Sequence, residues 1–274
     1  FFARLAREVH QKCVGQIAPR EPLIGRRRRM TGDMSSGETP SSNDAGGEGA
    51  APDAHKPDEL EFAALLCSRV CHDVISPVGA IVNGLEVLEE EEDDEMREHA
   101  LLLIAKSALQ ASAKLQFARL AFGASGSAGA MIEVGDAIKA ADGLLSGGRV
   151  TASWESKPGA LHKTRLKLLM NVFQFALGAI PRGGDLKVII EDGNEGMMVV
   201  ATGTKARIPE HAELAQGEKL SSLPDSRAVQ PYLIGLLCRA VHANLSVAQA
   251  MEEGPVTFTI TYGPDAELPD GMIG

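Results

Sequence analysis

A histidine, a carboxylate and a hydroxyl stand within five residues at His72-Asp73-Val74-Ile75-Ser76, and a proline follows at Pro77. Neutral imidazole keeps a lone pair on one ring nitrogen, and a neighbouring carboxylate can hold the other N–H and fix the tautomer. That lone pair can attack a phosphoryl group in line, through a loose transition state in which positioning counts for most. Asp73 either orients the ring or manages its proton. Ser76 returns to nearly the same side of a helix, where its hydroxyl can meet phosphoryl oxygens or water. Arg69, one turn before His72 on an adjacent face, can stabilise a phosphorylated state by charge-assisted hydrogen bonding.

These side chains need a helix to hold them, and the apolar pattern predicts one from about residue 58 to 90. Leu66, Val70, Val74, Val78, Ile81, Leu85 and Leu88 recur at spacings of four or three. At about 100° per residue they form a stripe roughly 120° wide. His72 falls roughly 175° from the centre of that stripe, and Ser76 about 40° from His72. Ser68, Gly79 and Asn83 complete the same face, a surface of small side chains that a partner can approach closely. Pro77 removes a backbone N–H and is expected to loosen the helix one turn past the histidine. The plainer reading of the same residues is an exposed histidine followed by a proline kink.

Composition narrows the function. With 274 residues, 44% of them apolar, the chain can bury a sizeable core, and two domains are expected. Aromatic residues are scarce at 4% with one Trp, which argues against a stacking platform for single-stranded nucleic acid. The first thirty residues carry eight Arg and Lys against two Glu, while the whole chain has a net charge of −10. The remainder is therefore strongly acidic, and its folded part is not expected to bind nucleic acid. No stretch reads as a membrane span and no apolar leader opens the chain, so no membrane role is expected. Cys13, Cys67, Cys71 and Cys238 have no disulfide-framework spacing, which points to a reducing, cytoplasmic compartment. Cys67, Cys71 and His72 leave a fourth metal ligand unspecified, so no metal site is expected.

Residues 1–57 differ from the rest. The segment to Arg29 is basic and ends in four arginines; 31–57 is rich in Gly, Ser, Pro and Ala and reads as a disordered linker. Without an initial Met, and with Met30 and Met34 close by, the segment is read as an over-extended frame or part of a fragment. The arginine run is alternatively a tether for nucleic acid or membrane. Residues 58–123 read as a helical hairpin whose acidic turn, Glu89 to Glu95, favours the start of the second helix. That helix carries a heptad seam, Leu101, Ile104, Ala108, Ala111, Leu115, Ala118 and Phe122. Two helices alone bury too little, so a pair of hairpins forming a dimeric four-helix bundle is the expected completion. The alternative is that the hairpin packs on its own C-terminal domain.

The Gly/Ser run 123–129 marks a boundary, and the period then alternates. Helices are expected at 134–145, 163–180 and 230–242, and strands at 149–154, 186–191, 197–202, 245–249 and 256–262, with a tight turn at 192–196. The fold class is therefore α+β: a histidine-bearing hairpin and dimerisation domain, 58–123, then an α/β sandwich with a mixed, mostly antiparallel sheet, 130–264. Residues 265–274 are expected to be a flexible tail.

This order resembles the dimerisation and ATP-binding halves of sensor histidine kinases over about residues 58–263. The kinase boxes are altered. Asn171-Val172-Phe173-Gln174-Phe175-Ala176 matches N-x-x-x-N-A only at its first Asn, with Phe175 in place of the metal-binding one. Ala201-Thr202-Gly203-Thr204-Lys205 replaces the adenine-binding Asp of D-x-G-x-G with Ala201 and its second Gly with Lys205. Val229-Gln230-Pro231-Tyr232 stands where a Gly-rich lid should cradle phosphates. An intact histidine beside a ruined nucleotide pocket resembles the ChpT-type histidine phosphotransferases of alphaproteobacteria. The closest matching stretches are His72 to Ile81 (HDVISPVGAI) and Phe175 to Gly184 (FALGAIPRGG), with 202–207 weaker.

The resemblance implies a cytoplasmic homodimer that carries phosphate on His72. It would accept phosphate from the receiver domain of a hybrid histidine kinase of the CckA type and pass it to response regulators of the CtrA and CpdR types. No cofactor is expected in this chain, Mg²⁺ being supplied by the receiver. Lys205 and Arg207, at the altered box, are candidates for partner contact together with Ser68, Gly79 and Asn83. Trp154 is expected in the core, and Lys163, Arg165 and Lys167 on a solvated face. Two other functions compete: a kinase with a divergent ATP pocket, and a dimeric scaffold that binds regulators without carrying phosphate.

Overall fold

The computed structural model describes residues 59–90, 92–123, 130–191, 196–218 and 227–263. The basic segment and linker of 1–57, the Gly/Ser run beyond Gly123, most of the 192–196 turn and the tail lie outside the described residues. Two long helices come first, α1 (Glu59–Glu90) and α2 (Asp94–Ala121). The acidic turn between them does more than carry charge: Asp93 Oδ1 accepts from the N–H groups of Glu95 and Met96 at 2.9 and 3.0 Å, capping α2. The Arg97 guanidinium donates back to the carbonyl of Leu88, closing the hairpin.

After the hairpin come β1 (Met131–Glu133), α3 (Val134–Leu145), β2 (Val150–Ser156), β3 (Ala160–His162) and α4 (Lys163–Leu177). Then follow β4 (Gly184–Ile190), β5 (Met197–Thr202), α5 (Ala212–Ala215), α6 (Val229–Ala240), β6 (Ala243–Gln249) and β7 (Val256–Tyr262). Five strands form one sheet in the order β2-β4-β5-β7-β6, with β2–β4 parallel and the other pairs antiparallel. β1 and β3 make a small separate pair that the sequence pattern did not announce. In β4, β5 and β7 burial alternates residue by residue. Leu186, Val188, Val199, Phe258 and Ile260 point into the helical layer, and the opposite face meets water. The fold class is that expected from the sequence.

The hairpin packs differently in detail. On α2 a buried or half-buried line runs through Ala100, Ile104, Ser107, Ala111, Lys114, Ala118 and Ala121. Of the expected seam, Ile104, Ala111 and Ala118 follow this line, whereas Leu101, Ala108 and Leu115 are exposed and Phe122 packs on the C-terminal core. On α1 the two buried residues are Pro77 and Gly84, and Val78 and Leu85 are 44% and 49% exposed. The inward face is thus rotated from the centre of the apolar stripe. Close approach explains it: a Cβ added to Gly84 would lie 2.7 Å from Ile104 Cγ1. α1 also runs unbroken through Pro77, where a loosened turn was expected. By length and composition α1 is apolar enough to cross a membrane, contrary to the sequence expectation, because it carries apolar side chains on an outer as well as an inner face.

One end of the hairpin is built into the α/β core. Phe117, Leu120 and Ala121 belong to the same buried cluster as Phe173, Leu169 and Val188. Phe117 and Trp154 both lie against the Phe173 ring, with centroids 6.3 and 5.5 Å away. Trp154 is half-buried at the margin of that core.

Candidate functional site

His72 sits near the middle of α1 with its side chain 87% exposed. Ser68, Ser76, Gly79 and Asn83 are exposed on the same helix, and nothing lies within 4 Å of a Cβ built on Gly79. The face of small residues read from the sequence is therefore open. His72 Nδ1 lies 3.8 Å from Asp73 Oδ1, a charge contact longer than a hydrogen bond. Asp73 is itself held: Arg69 Nε donates to its Oδ2 at 3.4 Å. Nδ1 therefore faces the carboxylate, and a ring protonated there would keep its lone pair on Nε2. Arg69 acts on Asp73 in this geometry, one step removed from the ring.

A sequence reading had no means of finding the next contact. Lys114, on α2, reaches across the hairpin and donates from Nζ to the main-chain carbonyl of Asp73 at 2.8 Å. Beneath it lies a cavity of about 110 Å³ bounded by Asp73, Lys114, Phe117, Gln174 and Leu177. The histidine thus stands beside the junction of hairpin and α/β domain.

The altered boxes build that junction. Asn171, fully buried, donates from Nδ2 to the carbonyls of Ala121 at 2.7 Å and Lys167 at 2.9 Å. The buried Gln230 amide donates to the Asn171 carbonyl at 3.3 Å and to Gln174 Oε1 at 2.8 Å. Tyr232 meets Phe62 of α1 edge to face, with centroids 5.4 Å apart. Phe175 is buried edge to face on Phe258 at 5.9 Å, and Ala201 is fully buried within β5. Phe175 and Ala201 are thus core residues and the Asn171 and Gln230 amides donate within the junction, while Asn171 Oδ1 is buried with no hydrogen-bond partner among the described residues.

The chain is 44% identical over 197 residues to the protein phosphotransferase ChpT of Brucella abortus (strain 2308), an overlap of 71% of this chain and 93% of that one. The chain belongs to the histidine phosphotransferase family. A family model for the histidine phosphotransferase C-terminal domain matches residues 134–253. The 1.7 Å structure of a bacterial phosphotransferase superposes with a TM-score of 0.67 at 39% identity, covering 76% of this chain and 98% of the other. In this phosphotransferase the match therefore takes in both hairpin and α/β layer.

Lys205 and Arg207 are exposed on the loop after β5, flanking the buried Ala206. Lys205 takes a left-handed φ of 57°, and the Arg207 N–H donates to the Ala179 carbonyl at 3.0 Å, seating the loop on the end of α4. The expected solvated face at the start of α4 is half-buried instead. The Arg165 guanidinium lies 4.1 Å over the Tyr262 ring, and burial, with the Lys163 charge second, pulls Lys167 below the usual lysine range. Among the described residues no group of His, Cys, Asp and Glu is arranged to hold a metal.

Proposed function

We propose that His72 carries the phosphoryl group in a multistep phosphorelay. The carrying observation is an 87% exposed imidazole whose Nδ1 faces a braced carboxylate. In the forward step Nε2 attacks the phosphorus of a receiver's aspartyl phosphate. An N–P bond forms, the P–O bond breaks, and the aspartate leaves with the electron pair. The Nδ1 proton stays facing Asp73, which balances the charge gained by the ring. Transfer to a second receiver is the same step reversed. Ser76, exposed on the same helix, would hydrogen-bond the incoming phosphoryl oxygens. The chain itself needs no cofactor; Mg²⁺ belongs to the receiver.

The partners in this reading are receiver domains: a hybrid histidine kinase of the CckA type as donor, and regulators of the CtrA and CpdR types as acceptors. They would lie on the open face of Ser68, Gly79 and Asn83, with Lys205 and Arg207 meeting an acidic surface. The protein works as a cytoplasmic homodimer. Free Cys67, Cys71 and Cys238 fit a reducing compartment. The dimer is supported by apolar side chains exposed on both helices of the hairpin, Val78, Val82 and Leu85 on α1 and Leu101 and Leu115 on α2. A second hairpin would cover them as a four-helix bundle.

The test is to mix the protein with a receiver domain charged by acetyl phosphate and follow label transfer over seconds. Acid-labile, base-stable phosphate that is absent from His72→Gln is the expected result. Undiminished uptake by His72→Gln would end this mechanism, and uptake from ATP without a receiver would make the protein a kinase.

A further inference from the structure

We infer that Lys114 is a positioning residue for phosphoryl transfer at His72. The inference rests on the reading of His72 as the phosphoryl carrier. In an unbroken helix the carbonyl of Asp73 would accept the N–H of residue 77, but that residue is Pro77 and has no N–H to give. The carbonyl belongs to the residue beside the histidine, so a loose turn here would let the imidazole wander. Lys114 Nζ supplies the missing donor from the neighbouring helix at 2.8 Å. The bond is charge-assisted and shielded, since Lys114 is half-buried and Pro77 is buried against α2.

The consequence is that Asp73 is fixed from two sides. Arg69, on the same helix, takes its carboxylate; Lys114, on the neighbouring helix, takes its main chain. Proline at 77 thereby turns a local helix bond into a cross-link between α1 and α2, at the level of His72. Lys114 also lines the cavity that Gln174 and Leu177 of α4 border, so the link lies where the hairpin meets the α/β domain. In-line transfer depends steeply on the placement of the attacking nitrogen, so this link sets rate and leaves receiver docking alone.

The experiment is a three-variant series with a receiver domain charged by acetyl phosphate, run at a temperature where each variant's circular dichroism matches the parent. Lys114→Met keeps an unbranched stem and removes the donor. It should slow transfer at saturating receiver by about tenfold while half-saturation stays within about twofold. Lys114→Arg, which keeps a charged donor, should recover most of the rate. Adding Pro77→Ala to Lys114→Met should also recover it, because alanine at that position restores the backbone N–H that the Asp73 carbonyl lacks. A parental rate in Lys114→Met overturns the inference, and so does a slow double variant, which would place the action of Lys114 elsewhere. Parental protein that takes no phosphate on His72, scored against His72→Gln, would remove the carrier reading and this inference together.

Discussion

Asn171 donates from a fully buried amide to the carbonyl of Ala121 at 2.7 Å, so a helix of the α/β layer closes the last turn of the histidine hairpin. The same amide serves the Lys167 carbonyl. One side chain thus ties the end of α2 to α4.

Replacing Asn171 by Leu should loosen that junction. The Ala121 carbonyl would lose its partner inside the protein, at a cost of about 1–3 kcal/mol. For a domain of this size that lowers the unfolding midpoint by roughly 2–4 °C per kcal/mol. Hydrogen exchange at the last turn of α2 should rise selectively. An unchanged midpoint with unchanged exchange would show that the bond contributes nothing to the joint.

Asp73→Asn should keep the shape of the site and remove the charge facing Nδ1. Without the carboxylate facing Nδ1 to balance the developing imidazolium, transfer should fall by about 100-fold, with receiver affinity held. Rapid-quench measurement at saturating receiver separates the two. A variant that transfers at the parental rate would reduce Asp73 to a bystander.

Leu115→Asp should part the dimer without unfolding the chain. Leu115 is 51% exposed and Leu101 56% exposed within one chain, so the substitution costs the isolated fold about half a kcal/mol or less. In a bundle it would set an unpaired carboxylate in an apolar seam, at several kcal/mol unless protonated. Sedimentation should show a monomer with parental secondary structure. A persistent dimer would mean that the outer face of the hairpin is not the interface.

Nucleotide should not bind. Phe175 and Ala201 are core residues, and Gln230 is committed to Asn171 and Gln174. Titration calorimetry with ATP and Mg²⁺ in the millimolar range is expected to give no heat beyond dilution. Saturable binding would return the chain to the kinases.

Cys238 should resist alkylation in the native protein while Cys67 and Cys71 react. Burial pushes the Cys238 thiol up to about 11, so at pH 8 the thiolate that would react is scarcer there than in the unfolded chain. Cys67 and Cys71 are exposed on α1. Mass spectrometry after brief iodoacetamide treatment distinguishes them, and equal labelling of all three would contradict the packing of α6.

The exposed histidine, the main helices and the five strands of the large sheet, and the changes in the nucleotide boxes were legible in the chain; the short β1–β3 pair and α5 were not. The legible features depend on local information: the 3.6-residue period sets His72 opposite an apolar stripe, period-two alternation marks β4, β5 and β7, and a Phe at 175 is visible as a letter. Which apolar face of α1 turns inward emerged only in three dimensions. Leu85 and Gly84 are neighbours in the chain, and hydropathy favours Leu85, but only Gly84 lets α2 come close enough to seat Ile104. The same holds for Lys114, whose partner is 41 residues away and is a main-chain oxygen. Pro77 by itself marks the Asp73 carbonyl as open, but the lysine that fills it is known only when the two helices lie side by side.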